Sequence, residues 1–334
     1  MGGVRFMQFC SQFMFIGTPD RPQCHCSTIV ELPSGDILGA WYAGTEEGNK
    51  DVVIMSARVA LDTCCWSDPV VLFDTPGMPE GNPILFVDPA GLLRMFFVTL
   101  VEDGWDYSQL KSTSSTDEGL TWSEPVVMGE PLGTDVRCKP LFLDDGRVLV
   151  PMYDDPTYQG FMYLSDDGCQ TWHRSGWISS PAGCIQPTLF RKTNGTIVAL
   201  LRDGGRAQVW RSESRDRGET WSPCVGTFLR NPNAGIDVVH LKSGNLVLAY
   251  NDTRTSRTPL SLAWSDDEGD DWLVKLDVAV GEGEYSYPAI IQGSDGTIHL
   301  SHTWRRTSIA HVMLDEEFLL EHGERRTHDQ PING

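Results

Sequence analysis

The sequence predicts an all-β protein, a six-bladed β-propeller, and three observations carry that expectation. An acidic turn ending in tryptophan recurs at a nearly fixed interval. A glycine turn between two apolar runs recurs six times. No stretch keeps a helical period over three turns. Four short strands in about 50 residues, repeated around a ring, are how a propeller reads in sequence.

Each unit reads as strand, glycine turn, strand, strand, acidic turn, strand. The first strands are "STIVEL", "PILFV", "PLFL", "PTLF", "DVVHL" and "PAII". The glycine turns and second strands follow as "PSGDILGAW" (Gly35), "PAGLLRMFF" (Gly91), "DDGRVLVPM" (Gly146), "TNGTIVALL" (Gly195), "KSGNLVLAY" (Gly244) and "SDGTIHLSH" (Gly296). Glycine supplies the positive φ of a hairpin turn, and the β-branched residues after it suit a strand. The acidic turns are "SSTDEGLTW", "SDDGCQTW", "SRDRGETW" and "SDDEGDDW". Their tryptophans, Trp122, Trp172, Trp221 and Trp272, lie 50, 49 and 51 residues apart. Trp66 in "CCWSDP" reads as a degenerate first copy. Asp117, Asp167, Asp216 and Asp267 are expected to accept hydrogen bonds from their own turns, a structural role. The tryptophans are expected to pack between neighbouring sheets. The whole chain, 1–334, reads as one domain, with residues 1–20 an outer strand that closes the ring.

Composition narrows the partners. The chain has 334 residues, 40% of them hydrophobic, and a formal charge of −20. Such a surface repels nucleic-acid phosphate and anionic lipid, so neither is expected as a partner. An anionic ligand would need a local cluster of arginines. The nine cysteines show no paired metal-ligand spacing, and Cys24-His25-Cys26 is too tight for a tetrahedral zinc site, so no metal or cofactor is expected. They read as thiols in a reducing compartment. The N-terminal apolar stretch is broken by Arg5, Gln8, Ser11 and Gln12, unlike a signal peptide, and a cytoplasmic location is the expectation.

Innermost strands of a propeller converge on its axis. At their mouths stand His25, Asn82, Arg137, Lys139, Gln186, Asp237, Tyr285 and Tyr287. Polar groups there line either a water-filled tunnel or a ligand site. Trp41, Trp105, Trp210 and Trp304 could stack on sugar faces or simply pack within the sheets.

The acidic turns resemble the Asp boxes, or BNR repeats, of the sialidase (neuraminidase) superfamily, and the resemblance covers nearly the whole chain. It implies a six-bladed propeller with its site on the axis, and an acidic oligosaccharide or glycoconjugate as ligand. Three family arginines hold the substrate carboxylate, since a guanidinium fork matches it and stays charged. "IQPTLFRKTNGTIVALLR" matches the second, Arg202, but places Gln186 where the family has a catalytic Glu. "SRTPLSLAWSDDEGDDW" supplies the third, Arg257. His25 in "HCST" stands where the family has its first arginine. "GEYSYPAII" matches the family's tyrosine nucleophile, with Tyr285 the direct counterpart and Tyr287 a competitor. "GTEEGNKDVVI" offers Asp51 as the acid/base, with Glu46 and Glu47 as rivals. Arg137, Lys139, Gln186 and Asp237 complete the expected binding residues. Gln186 cannot act as a base, so His25, Asp237 or Glu284 would have to replace it. The resemblance therefore implies a sialidase-like exo-glycosidase. Alternatives are a uronate lyase of the rhamnose–glucuronate type, with His25 or a tyrosine as base, and a non-catalytic carbohydrate-binding propeller.

Overall fold

In a computed structural model, which describes residues 9–60 and 65–326, six antiparallel sheets form the blades of a β-propeller. Blade one holds the strands Gln23–Glu31, Ile37–Gly44, Val53–Val59 and Val70–Phe73. Blade two holds Glu80–Val87, Leu93–Leu100, Ser108–Ser115 and Val126–Val127. In blade three the inner strand is broken into Thr134–Val136 and Leu141–Phe142, followed by Val148–Asp154, Gln159–Ser165 and His173–Arg174. Blade four runs Cys184–Arg191, Ile197–Asp203, Gln208–Ser214 and Val225–Arg230. Blade five runs Asp237–His240, Leu246–Tyr250, Leu260–Ser265 and Val274–Ala279, with Glu324–Arg325 added at its edge.

Blade six closes the ring. Its strands Tyr285–Gln292, Ile298–Trp304 and Ser308–Leu314 are completed by Phe9–Ile16 from the start of the chain. Pairing this early strand with three late ones in one sheet gives the last blade its outer strand. Residues 1–8, the rest of the expected closing segment, and Cys64 lie outside the described residues. Closure also explains a count. Six glycine turns accompany five tryptophan turns because the third and fourth strands of blade six, Ser308–Leu314 and Phe9–Ile16, are not consecutive in the chain.

All six turn glycines take φ between 84° and 93°, where other residues are strained. In the acidic turns, Asp117 accepts from the Thr121 amide at 2.8 Å, the Thr121 hydroxyl at 2.6 Å and the Ser115 hydroxyl at 2.7 Å. Asp167 does the same with Thr171 and Ser165 and adds the Gln170 amide. Each turn leans on the blade before it. Trp172 of blade three packs edge-on against Phe96 of blade two at 5.6 Å, and Trp66 of blade one against His311 of blade six at 5.1 Å. The close approach excludes side chains: a Cβ on Gly218 would come within 2.4 Å of Leu149 in the preceding blade. One short helix, Glu316–His322, follows blade six, capped by Asp315 accepting from the Phe318 amide. The sequence reading had no helix there, and at seven residues it is too short to show a period.

Removing the carboxylate of Asp117 should loosen one turn without touching the axis. Hydrogen bonds from Thr121 and Ser115 hold that carboxyl down to about 2. Its contribution is therefore present above the ordinary carboxylate range near pH 4 and lost as pH falls through about 2. Asp117→Ala should lower the melting temperature by a few degrees at pH 7 and leave ligand binding unchanged, as scanning calorimetry and a binding titration would report.

Candidate active site

Four inner strands share a device. The ladder register slips between His25 and Thr28, Gly81 and Ile84, Ile185 and Thr188, and Ser286 and Ala289. Within each slip one residue is left-handed: Cys26 (φ 56°), Asn82 (42°), Gln186 (53°) and Tyr287 (52°). A bulge re-aims the side chain it carries. Asn82, Gln186 and Tyr287 accordingly reach across to other blades instead of packing within their own.

Tyr287 marks the axis, because groups from four other blades surround it. The guanidinium carbons of Arg137, Arg202 and Arg257 lie 5.3, 5.7 and 5.3 Å from its ring centre. The His25 ring lies 4.2 Å away. Arg202 Nη1 donates to the Tyr287 hydroxyl at 2.5 Å and to Gln186 Oε1 at 3.1 Å. Asn233 joins the two family-matched arginines: its side-chain oxygen accepts from Arg202 Nε at 2.6 Å and its carbonyl from Arg257 Nη2 at 3.2 Å. Arg137 is wholly buried and donates to the Pro288 carbonyl at 2.7 Å.

A carboxylate answers this charge. Glu284 Oε1 accepts from Arg257 at 2.8 Å and from the Ser286 hydroxyl, and Oε2 accepts from Arg306 at 3.0 Å. Burial pushes its carboxyl up, but Arg257, Ser286 and Arg306 outweigh burial and hold it below the ordinary value. Arg306 also donates to Glu47, whose other oxygen accepts from the Trp105 indole at 3.2 Å. His25 is buried, shares a 2.8 Å hydrogen bond between Nδ1 and the Thr303 hydroxyl, and has no partner at Nε2, 4.0 Å from Glu284. Burial, then Arg306, Arg257, Arg137 and Arg202, drive its pKa well below the usual value, so the ring is a neutral base at pH 7.

Several expected residues stand elsewhere. Tyr285 is fully buried, edge-on to Trp304 at 4.7 Å, and donates to the Glu282 carbonyl at 3.1 Å. Tyr287, not Tyr285, is the tyrosine among the arginines. Asp51 is an exposed loop cap, both oxygens accepting from Thr45 at 2.9 Å, whereas Glu47 faces Arg306. Lys139 and Asp237 are spent on each other at 2.7–2.8 Å. Asp237 also accepts from Thr188 and from the Ile290 amide, which ties blades three to six together. Trp41 is buried in the core, and Trp210 is buried with its indole donating to Asp203. Trp105 lines a cleft of about 540 Å³.

Sequence reasoning missed Arg306, Asn233 and Asp155. Arg305 and Arg306 are left-handed at φ 53° and 59°, in a hairpin position that Asn or Gly ordinarily fills. "HTWRRTSIA" offered that signal. Asp155 stands near Arg202 with Oδ2 buried and unpartnered. Burial pushes it up, Arg202 pulls it down, and Asp106 and Asp154 raise it, to about 7. Asp135, wholly buried, is raised as well, first by burial and then by Asp155.

Fold and repeated turns together define a six-bladed propeller of the BNR-repeat type. The chain belongs to the BNR repeat-like domain family, whose model matches residues 35–300. Its fold is similar to that of a Dyadobacter fermentans protein of unknown function, with a TM-score of 0.79 and 16% identity over 92% of this chain and 99% of that one. It is also similar to a Hadza microbial sialidase (TM-score 0.76, 18% identity, 89% of this chain and 66% of that one). The NanB sialidase from Streptococcus pneumoniae is a third relative in fold, with a TM-score of 0.74 and 16% identity over 92% of this chain and 71% of its own. The chain thus spans about two thirds of the first of these sialidases. A comparison with curated proteins finds no match.

The raised carboxyls of Asp135 and Asp155 make stability depend on pH. A carboxyl raised on folding contributes fully below its unfolded value, near pH 4, and loses that contribution as pH rises through its folded value, about 7 for Asp155. Asp155→Asn should flatten the decline in melting temperature between pH 5 and about 7.5; an unchanged slope would mean the carboxyl titrates normally.

Proposed function

We propose that this protein is an exo-acting glycoside hydrolase whose substrate carries a terminal carboxylated sugar. One observation supports it above the rest: Arg202 and Arg257, from separate blades, converge across Asn233 beside one tyrosine. Two guanidinium groups turned on one spot fit a carboxylate and keep their charge at any working pH. The substrate carboxylate competes with Glu284 for Arg257.

Chemistry then follows from what surrounds Tyr287. Its oxygen attacks the anomeric carbon, the glycosidic C–O bond breaks, and the leaving oxygen takes a proton from Glu47. The hydroxyl proton of Tyr287 passes to His25 Nε2, the neutral base that stands in for the carboxylate absent at Gln186. Water then attacks the tyrosyl-bound carbon and gives a proton to Glu47, the bond from that carbon to the Tyr287 oxygen breaks, and His25 returns its proton to the phenolate. One feature favours a second reading, β-elimination from a uronate. A neutral His25 with a free Nε2 is equally suited to remove the C5 proton beside a carboxylate that arginines have neutralised, with the C4–O glycosidic bond breaking and Glu47 protonating the departing oxygen.

Incubation with a sialoside, with a glucuronate-terminated oligosaccharide and with one whose glucuronate carries rhamnose at O4 separates these readings. Free acidic sugar supports hydrolysis, new ultraviolet absorbance from an unsaturated uronate supports elimination, and neither product would sink both. Arg257→Ala should cost about 100-fold in kcat/KM with its larger share in KM. Glu47→Gln should lower kcat by roughly 10²–10⁴-fold, while Asp51→Asn stays near wild type. A larger loss at Asp51 than at Glu47 would reverse the assignment.

A further inference from the structure

Blade four carries two sulfurs in contact. The thiols of Cys184 and Cys224 lie 3.8 Å apart, although the residues are 40 positions apart in the chain. Among the described residues this is the one sulfur–sulfur contact of hydrogen-bonding geometry. Cys184 is buried and opens the innermost strand of the blade, Cys184–Arg191. Cys224 is half-buried and stands just before the outermost strand, Val225–Arg230, outside the ladder itself. Both belong to an apolar cluster with Leu201, Trp210 and Trp221.

We propose that Cys184 and Cys224 are a redox-modification site, a dithiol that a peroxide converts to a disulfide, locking the inner strand of blade four to its outer edge. The site is separate from the proposed activity and does not depend on it. Distance is the first argument. A disulfide needs its sulfurs at about 2.05 Å, so a closing movement of about 1.8 Å suffices. Cys224, in a segment that no ladder holds, is the partner placed to make it.

The setting of the Cys184 sulfur is the second argument. It accepts from the Cys224 thiol and from the hydroxyl and amide of Ser180, and these donors hold its thiol below the ordinary value against the opposing effect of burial. The thiolate is the form that attacks. The same contact raises Cys224, which therefore keeps its proton and acts second. The Cys184 thiolate attacks one peroxide oxygen, and the O–O bond breaks. A sulfenic acid forms, and the departing hydroxide takes a proton to become water. The Cys224 sulfur then attacks the sulfenic sulfur, the S–O bond breaks, and a second water leaves with the Cys224 proton. Two thiols and one peroxide give one disulfide and two waters; sulfur is oxidised and peroxide oxygen reduced.

Position gives the bond its consequence. The segment it closes contains Gln186 and Arg202. Cys184 pairs with Asp203 and Ile185 with Arg202, and the register slips directly afterwards, between Ile185 and Thr188. A disulfide braces the start of the strand that carries this bulge, and it also restricts the unfolded chain.

The test is peptide mapping of the full chain after brief exposure to equimolar hydrogen peroxide at neutral pH, with iodoacetamide in denaturant blocking the remaining thiols. The expected product is a Cys184–Cys224 cross-link, two hydrogens lighter than the separate peptides and undone by dithiothreitol. It should form before Cys10 or Cys65, the exposed thiols, is oxidised. Oxidation should raise the melting temperature by a few degrees, and reduction should reverse the rise. Cys224→Ser should lose both the cross-link and the rise, whereas Cys10→Ser keeps both. Oxidised Cys10 or Cys65 beside fully alkylated Cys184 and Cys224 overturns the site. A cross-link that leaves the melting temperature unchanged, or lowers it, overturns the lock. The mapping is read on the unsubstituted chain, so it stays decisive even where Cys224→Ser does not fold.

Discussion

Gathering like charges at one place is the constraint on which the site depends. Arg137, Arg202, Arg257 and Arg306 come from four blades into one funnel, and they repel one another at these separations. Three things hold them. The face and hydroxyl of Tyr287 take up Arg137, Arg202 and Arg257. Backbone carbonyls of Pro288 and Asn233 accept from Arg137 and Arg257. Glu284 supplies compensating negative charge to Arg257 and Arg306. What remains is a cationic cluster in a chain of formal charge −20, a local inversion of the chain's overall sign.

The propeller makes that gathering possible through its inner strands. A regular strand would point alternate residues into the blade and leave the axis to whatever fell there. The slips at Cys26, Asn82, Gln186 and Tyr287 break the alternation where the strands converge. Left-handed backbone at a non-glycine residue costs on the order of 1 kcal/mol or more, and it persists only where its surroundings over-determine it. At Tyr287 those surroundings are the arginines and His25. At Asn82 they are Asp135 and Tyr153, to which its amide donates at 3.1 Å. The strain is thus tied to the polar network, and network and bulges form as a unit.

The fold was legible in the sequence because its signals are local. A glycine that must be left-handed, or an Asp that caps its own turn, leaves a mark within a few residues and repeats once per blade. Arg202 and Arg257 were legible through resemblance, since each sits at a fixed distance from such a mark. What could not be read was which of two neighbours faces the axis. Tyr285 and Tyr287 are two apart and share a face in a regular strand, so only the bulge between Ser286 and Ala289 separates them. Asp51 and Glu47 lie in one loop, and the choice turns on Thr45 capping Asp51. Lys139 and Asp237 are 98 residues apart, and nothing in either neighbourhood announces that they neutralise each other. Arg306 was hidden for the same reason: its partners Glu47 and Glu284 lie on other blade connections.

Gln186 shows how the network compensates for a departure. Its amide nitrogen donates to the Tyr153 hydroxyl at 3.2 Å, which also accepts from Asn82, and Tyr153 in turn hydrogen-bonds Asp135. With its nitrogen fixed on that side, Oε1 must face Arg202, which it meets at 3.1 Å. Arg202 thereby points Nη1 at the Tyr287 hydroxyl. A glutamate at this position would add a negative charge to the pair and could take a proton. The glutamine can do neither, but it transmits orientation from the buried Asp135 to the tyrosine. Gln186 thus aims Arg202, and the only neutral ring nitrogen without a partner beside Tyr287 among the described residues belongs to His25.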